Sequence, residues 1–137
     1  MQKTRTPLTT IAELVEAVQA LADAHFQPRR DLNGEVCTAT PVPTEIANAA
    51  AKIDVDFRGW RAYIYLYLAD DGGLRLNINV FPGRGGYSTW LLPEDATFGK
   101  LTKHVERAIS VMEQQLADAK RRDAEVNAEM EKARAGR

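Results

Sequence analysis

The chain has 137 residues, 45% of them hydrophobic and 27% charged, and a formal net charge of -1 from 18 basic and 19 acidic residues. That length suits one domain around one core. The balanced charge excludes a global field that would draw nucleic acid or an anionic membrane, and the single cysteine, Cys37, excludes an internal disulfide or a four-cysteine zinc site.

Residues 1–7 lack the apolar core of a signal peptide. No stretch approaches the roughly 18 consecutive apolar residues of a membrane span. A lone cysteine suits a reducing compartment, so the expected location is cytoplasmic.

A first helix is signalled at Thr10, which stands at capping-box spacing from Glu13. Ile11, Leu14, Val15, Val18, Leu21 and Ala22 share one helical face, and the helix is expected to end near His25. Pro28 and the Asn33-Gly34 pair interrupt the chain beyond it. Residues 35–39 suit a short edge strand, because Pro41 and Pro43 forbid a central one. The alanine-rich residues 44–52 predict a short helix, with Ile46, Ala50 and Ile53 on one side. Ile53, Val55 and Phe57 then alternate with Asp54 and Asp56, which is strand periodicity.

The centre is the most informative part. Tyr63-Ile64-Tyr65-Leu66-Tyr67-Leu68 alternates strictly, as does Leu74-Arg75-Leu76-Asn77-Ile78-Asn79-Val80. A two-residue turn at Asp71-Gly72 would set Leu68 against Arg75 and mix the two faces. A loop of Asp70-Asp71-Gly72 instead pairs Leu68 with Leu74, Leu66 with Leu76 and Ile64 with Ile78. It also puts Gly72 where a left-handed backbone is needed. Pro82 to Gly86 ends this hairpin, and residues 87–92 read as the next strand, stopped by Pro93. A long helix begins between Pro93 and Thr97 and runs almost to the end. Phe98, Leu101, Val105, Ala108, Met112 and Ala119 keep a three-four spacing, with Gln115 the polar member and Leu116 beside it. The expected class is α+β: one domain over residues 1–137, a three- to four-stranded antiparallel sheet packed by an N-terminal helix and a long C-terminal helix. Residues 120–137 are expected to be a projecting or frayed end of that helix.

The hairpin register makes the first candidate site. Tyr67 falls opposite Arg75, Tyr65 opposite Asn77 and Tyr63 opposite Asn79, with Arg61 continuing the same face. Phenols, guanidinium and carboxamides on a sheet suit a protein interface, where Tyr and Arg are enriched. They can also stack single-stranded bases. The bland account is that Tyr fills half-buried strand positions well, or that the N-terminal helix covers it. Gly83-Arg84-Gly85-Gly86 resembles a phosphate cradle only superficially, since it has no lysine and joins strand to strand. Asp54 and Asp56 share a side of one strand but have no histidine motif beside them, and Asp70 and Asp71 are explained as turn formers. His25 sits where it can soften a negative helix end, and His104 flanks the long-helix seam. Nothing in the spacing brings either to Cys37 as a nucleophile–base pair. Lys120-Arg121-Arg122 is flanked by Asp118, Asp123 and Glu125, and Asp118 is four residues before Arg122, so a solvated salt-bridged face is the reading.

These residues carry no catalytic or metal set and imply no cofactor. The expectation is a non-enzymatic protein that regulates or inhibits a protein partner, including one carried by a phage or other mobile element. Its partner-binding residues would be Tyr63, Tyr65, Tyr67, Arg75, Asn77 and Arg84. Homodimerisation is expected through Leu101, Val105, Met112, Val126 and Met130. The alternatives are a single-stranded nucleic-acid or nucleotide binder on the tyrosine face, and a small enzyme whose site is dispersed in sequence. No membrane partner is expected.

Overall fold

A computed structural model describes residues 7–42 and 50–136. Helix α1 (Ile11–His25) opens as its capping box requires: the Thr10 hydroxyl accepts from the Glu13 N–H, and Glu13 Oε1 accepts from the Thr10 N–H at 3.1 Å. Its buried face is Leu14, Ala17, Val18, Leu21 and Ala22. Ile11, in the first turn, stays 40% exposed.

Two short strands come next, β1 (Gln27–Pro28) and β2 (Thr40–Pro41). Then come β3 (Ala50–Phe57), β4 (Trp60–Leu68), β5 (Leu74–Phe81) and β6 (Gly85–Leu91), all antiparallel. The sheet is six-stranded, in the order β1-β3-β4-β5-β6, with β2 also paired to β3. That is more than the three or four strands expected. The difference lies in β1 and β2, which have two residues each and cover successive parts of one β3 edge: Gln27 faces Asp56 and Thr40 faces Lys52. Each contains a proline, which an edge tolerates because a missing N–H breaks no interior ladder.

Two local expectations are corrected. Residues 35–39 are not a strand. Asp31 Oδ1 accepts from the N–H groups of Asn33 and Glu35 at 2.8 and 3.0 Å, folding that stretch into a small loop closed by an Arg30–Val36 bridge. After β1, the chain returns to the sheet at Thr40. Within residues 44–52, Ala50, Ala51 and Lys52 are the first residues of β3, not helix, and residues 44–49 lie outside the described residues. Ala50 and Ala51 are fully buried opposite Tyr67 and Leu66. Tertiary pairing overrides the helix propensity of alanine there.

The central register is as the alternation requires: Leu68 pairs with Leu74, Leu66 with Leu76 and Ile64 with Ile78. The Ala69 N–H donates to the Gly73 carbonyl at 2.8 Å, closing the Asp70-Asp71-Gly72 loop, and Gly72 has φ +89°. A second tight turn joins β3 to β4, with Arg58 at φ 54° and Gly59 at φ 86°. Positive φ at both central residues matches the twist of a two-residue hairpin.

A short 3-10 turn (Pro93–Asp95) leads into α2 (Phe98–Ala135), capped by the Thr97 hydroxyl. Helix α1 lies across β3 and β4, α2 lies across β6 and β5, and the helices touch each other. Both therefore sit on one side of the sheet. The core between the layers holds Leu14, Val18 and Leu21 of α1, Ile64, Leu66, Leu76 and Ile78 of the sheet, and Leu101, Val105 and Met112 of α2, all at 0% exposure. Beyond the last core contacts, every described residue of α2 from Lys120 onward is exposed. At about 1.5 Å per residue, that end projects roughly 24 Å past the domain.

The loop makes a direct prediction. Gly72→Val should lower the urea midpoint with an unchanged denaturant slope, a loss of about 1–3 kcal/mol, because a β-branched residue resists the left-handed region. Gly72→Asn should lose about 1 kcal/mol or less, since asparagine enters that region more readily. Equal losses for the two would mean that backbone conformation is not what this position selects.

Candidate functional site

With both helices on the aliphatic side, neither helix covers the opposite side of the sheet. Every second residue of the central strands faces it. From β3 come Lys52, Asp54 and Asp56; from β4, Arg61, Tyr63, Tyr65 and Tyr67; from β5, Arg75, Asn77, Asn79 and Phe81; from β6, Ser88 and Trp90. Tyr63, Tyr65, Tyr67, Arg75 and Asn77 are half-buried among themselves, while Phe81 and Trp90 are 55% and 66% exposed. The N-terminal helix does not cover these rings.

The rings form an ordered row. Tyr65 and Tyr67 stack with centroids 5.7 Å apart and planes at 6°. Tyr63 lies next, 6.3 Å from Tyr65, and Phe81 meets Tyr63 edge-on at 6.5 Å. Cations cover the row: Lys52 Nζ lies 4.5 Å from the Tyr63 centroid, the Arg61 guanidinium 5.0 Å from the same ring, and Arg75 5.3 Å from Trp90. Burial pushes the Tyr67 phenol above its ordinary value, Tyr65 adds to this and Arg75 opposes it. Tyr67 is thus a neutral hydrogen-bond donor at physiological pH.

Two of the cations already have an anion. Arg61 donates to Asp54 Oδ2 at 2.8 Å, and Lys52 lies 3.6 Å from Asp54 Oδ1, an ion-pair distance too long for a hydrogen bond. Asp54 Oδ1 and Arg61 Nε are buried without a hydrogen-bond partner. Asp56, the other carboxylate of this strand, accepts from the Gly59 N–H at 2.9 Å and closes the turn. The Asp54–Asp56 pair is therefore divided between an ion pair and a turn. Among the described residues, no group of three or more His, Cys, Asp or Glu is placed to hold a metal ion.

Arg84, which the sequence grouped with the tyrosines, lies on the other side of the sheet. Its guanidinium sits 5.3 Å from the Trp60 ring and 3.3 Å from Asp123 of α2. The neighbouring Gly86 N–H is taken by Gln115 Oε1 at 2.8 Å, so the glycine loop docks the helix rather than cradling an anion. A Cβ at Gly85 would overlap that glutamine. Leu101, Val105 and Met112 are committed to the chain's own core, whereas Val126 and Met130 are 55% and 53% exposed. Asp118 pairs with Arg121 at 3.3 Å rather than with Arg122. Cys37 lines a shallow cleft of about 100 Å³ with Gln19, Phe26 and Asp54. His25 is the last residue of α1, and His104 Nδ1 lies 3.1 Å from the Tyr87 hydroxyl.

Lys52, Phe81, Ser88 and Trp90 were not picked out by sequence. Phe81 continues the parity of Arg75, Asn77 and Asn79, so it was available there. Trp90 and Ser88 needed the β5–β6 register, which sets Trp90 opposite Arg75 and Ser88 opposite Asn77. The irregular glycine-rich connection hides that register from any count along the chain.

Comparison with protein-family models, curated proteins and solved structures gives no match. Among the described residues, no helix is long and apolar enough to cross a membrane. What fold and site define is an α+β domain with one sheet face packed by helices and the other aromatic, cation-bearing and covered by neither helix.

His104 gives a pH dependence. Burial holds its imidazole below the ordinary value of 6.5, Arg107 and Lys100 add to this, and Asp95 opposes it. As pH falls, the unfolded chain therefore takes the proton first. The contribution of His104 to stability is whole above about pH 6.5 and is lost as pH falls through the lower native value. His104→Gln, which keeps a hydrogen-bonding group beside Tyr87, should flatten the decline in urea midpoint below about pH 6.5. An unchanged decline would exclude His104 as its source.

Proposed function

We propose that this protein is a non-enzymatic binding module that docks on a protein partner through the open sheet face and thereby regulates or inhibits it. The observation that carries this reading is the row of Tyr63, Tyr65 and Tyr67 that neither helix covers, with Tyr65 and Tyr67 stacked, Tyr63 tilted against Tyr65, and Arg75 and Trp90 beside them. Ordered rings lose little entropy on binding, and Tyr, Trp and Arg are the side chains that dominate interface energies.

Size and charge refine the reading. The face spans about 20 Å by 20 Å, on the order of 400 Å². It is about half of the roughly 800 Å² per partner in a standard interface, so the contact is transient unless the partner also grips the rim. The cations do not favour a polyanion, because Arg61 and Lys52 already face Asp54. A nucleic-acid surface would need them free for phosphate.

Affinity capture from native lysate with wild-type and Tyr65→Ala, Arg75→Ala baits tests this. A partner protein should be retained by the wild type and lost by the double variant. The variant should stay folded, because neither side chain enters the core, with a urea midpoint lowered by the loss of the Tyr65–Tyr67 stack, about 1 kcal/mol. A labelled single-stranded oligonucleotide that binds in a salt-sensitive manner, and fails to bind the double variant, would replace this reading with a nucleic-acid one. Turnover of a substrate without any partner would replace it with an enzymatic one.

A further inference from the structure

The projecting end of α2 carries a second, independent surface. Leu116, Ala119, Asp123, Val126, Met130 and Ala133 recur at spacings of three and four, and continue the stripe that Leu101, Val105 and Met112 bury against the sheet. Leu116 still packs on the core, whereas Val126 and Met130 are more than half exposed. Where the stripe leaves the domain there is a cleft of about 560 Å³, lined by Trp60, Arg58 and Arg84 on the sheet side and by Leu116, Ala119 and Lys120 on the helix.

We propose that a second copy of this chain covers the stripe, the two α2 helices packing antiparallel about a twofold axis between Ala124 and Glu125. The charges flanking the stripe select this arrangement. On one flank stand Arg122 and Glu129, and on the other Glu113, Lys120, Asn127 and Arg134. In the antiparallel register Arg122 meets Glu129 of the second copy, Glu113 meets Arg134, and Lys120 meets Asn127. No like charges oppose one another. Among the described residues, neither Arg122 nor Glu129 has an ion-pair partner in its own chain, while Asp118, Arg121 and Glu125 pair among themselves on the outer face. A parallel pairing would set Asp123 against Asp123 in the seam. The antiparallel one sets it against Val126, and Arg84, 3.3 Å away, holds the carboxylate aside.

The same register places Ala133 of one copy opposite Leu116 of the other, and Met130 opposite Ala119. The last turns of each helix therefore enter the cleft beside Trp60. The overlap from residue 116 to residue 133 is about 27 Å of helix. The alanines let the helices approach closely, and the small apolar content implies a weak dimer, micromolar rather than nanomolar.

Sedimentation equilibrium of the full chain from about 1 to 100 µM tests the proposal, a range that brackets a micromolar dissociation constant. A concentration-dependent dimer is expected. Val126→Gln, Met130→Gln should abolish it without changing helix content, because glutamine is a good helix former and both sites are exposed. Glu129→Arg should weaken the dimer about tenfold by setting two arginines together in two symmetric pairs. Adding Arg122→Glu should restore it. A monomer across the range overturns the proposal. A dimer indifferent to the glutamine pair also overturns it, since it would lie elsewhere, for example on the tyrosine face. Failure of the charge swap to rescue rejects the antiparallel register, because in a parallel pairing residue 129 faces Arg134 and the double variant keeps that clash.

Discussion

The rest of the structure depends on the pairing of β4 with β5. The alternation in both strands has a period of two, so the loop length between them decides whether leucine meets leucine or leucine meets arginine. Gly72, at φ +89°, lets Asp70-Asp71-Gly72 close with Leu68 opposite Leu74. The result is one aliphatic face, one place for two helices, and one face that neither helix covers. A slip of one residue would turn one strand over against the other, putting Leu74, Leu76, Ile78 and Val80 in water if β4 keeps its place, at about 1.5–3 kcal/mol for each side chain.

Helix α2 does two things along its length. Its first half is a core element, ending where Gln115 accepts from the Gly86 N–H at the start of β6, and just beyond it Asp123 meets Arg84 of the β5–β6 connection. These ties explain a glycine-rich stretch that would otherwise suggest phosphate binding. Its second half receives little from its own domain, since exposed ion pairs such as Arg121–Glu125 contribute about 0–1 kcal/mol each. It is helical because it extends a helix already nucleated by packing, so the unfavourable first turn has been formed elsewhere. An exposed apolar stripe on such an extension is a surface available to a partner.

The open face and the distal helix are also distinct electrostatically. On the sheet, Asp54 gathers Lys52 and Arg61 over the Tyr63 ring, a compact arrangement in which one carboxylate serves two cations. On the helix, Arg122 and Glu129 stand apart from the ion pairs formed among the described residues of their own chain. The first suits recognition by shape and ring contact, with modest dependence on salt. The second suits pairing by charge order along a line. The two surfaces lie on different elements and share no residue.

Several features are properties of the local sequence. The α1 cap at Thr10, the register between residues 63 and 80, the separation of tyrosines from leucines, and the start of α2 at Thr97 each arise from periodicity and turn chemistry acting over a few residues. Propensity misled where pairing was remote. Ala50 and Ala51 read as helix, but they sit in β3 because β4 offers them partners across the sheet. The edge strand moved from residues 35–39 to Thr40–Pro41 because Asp31 turned the preceding loop onto itself. The location of Arg84 and the opposition of Trp90 to Arg75 were decided only by the packed structure. Each depends on which groups far apart along the chain come together, and that is set by the layer geometry rather than by any local spacing.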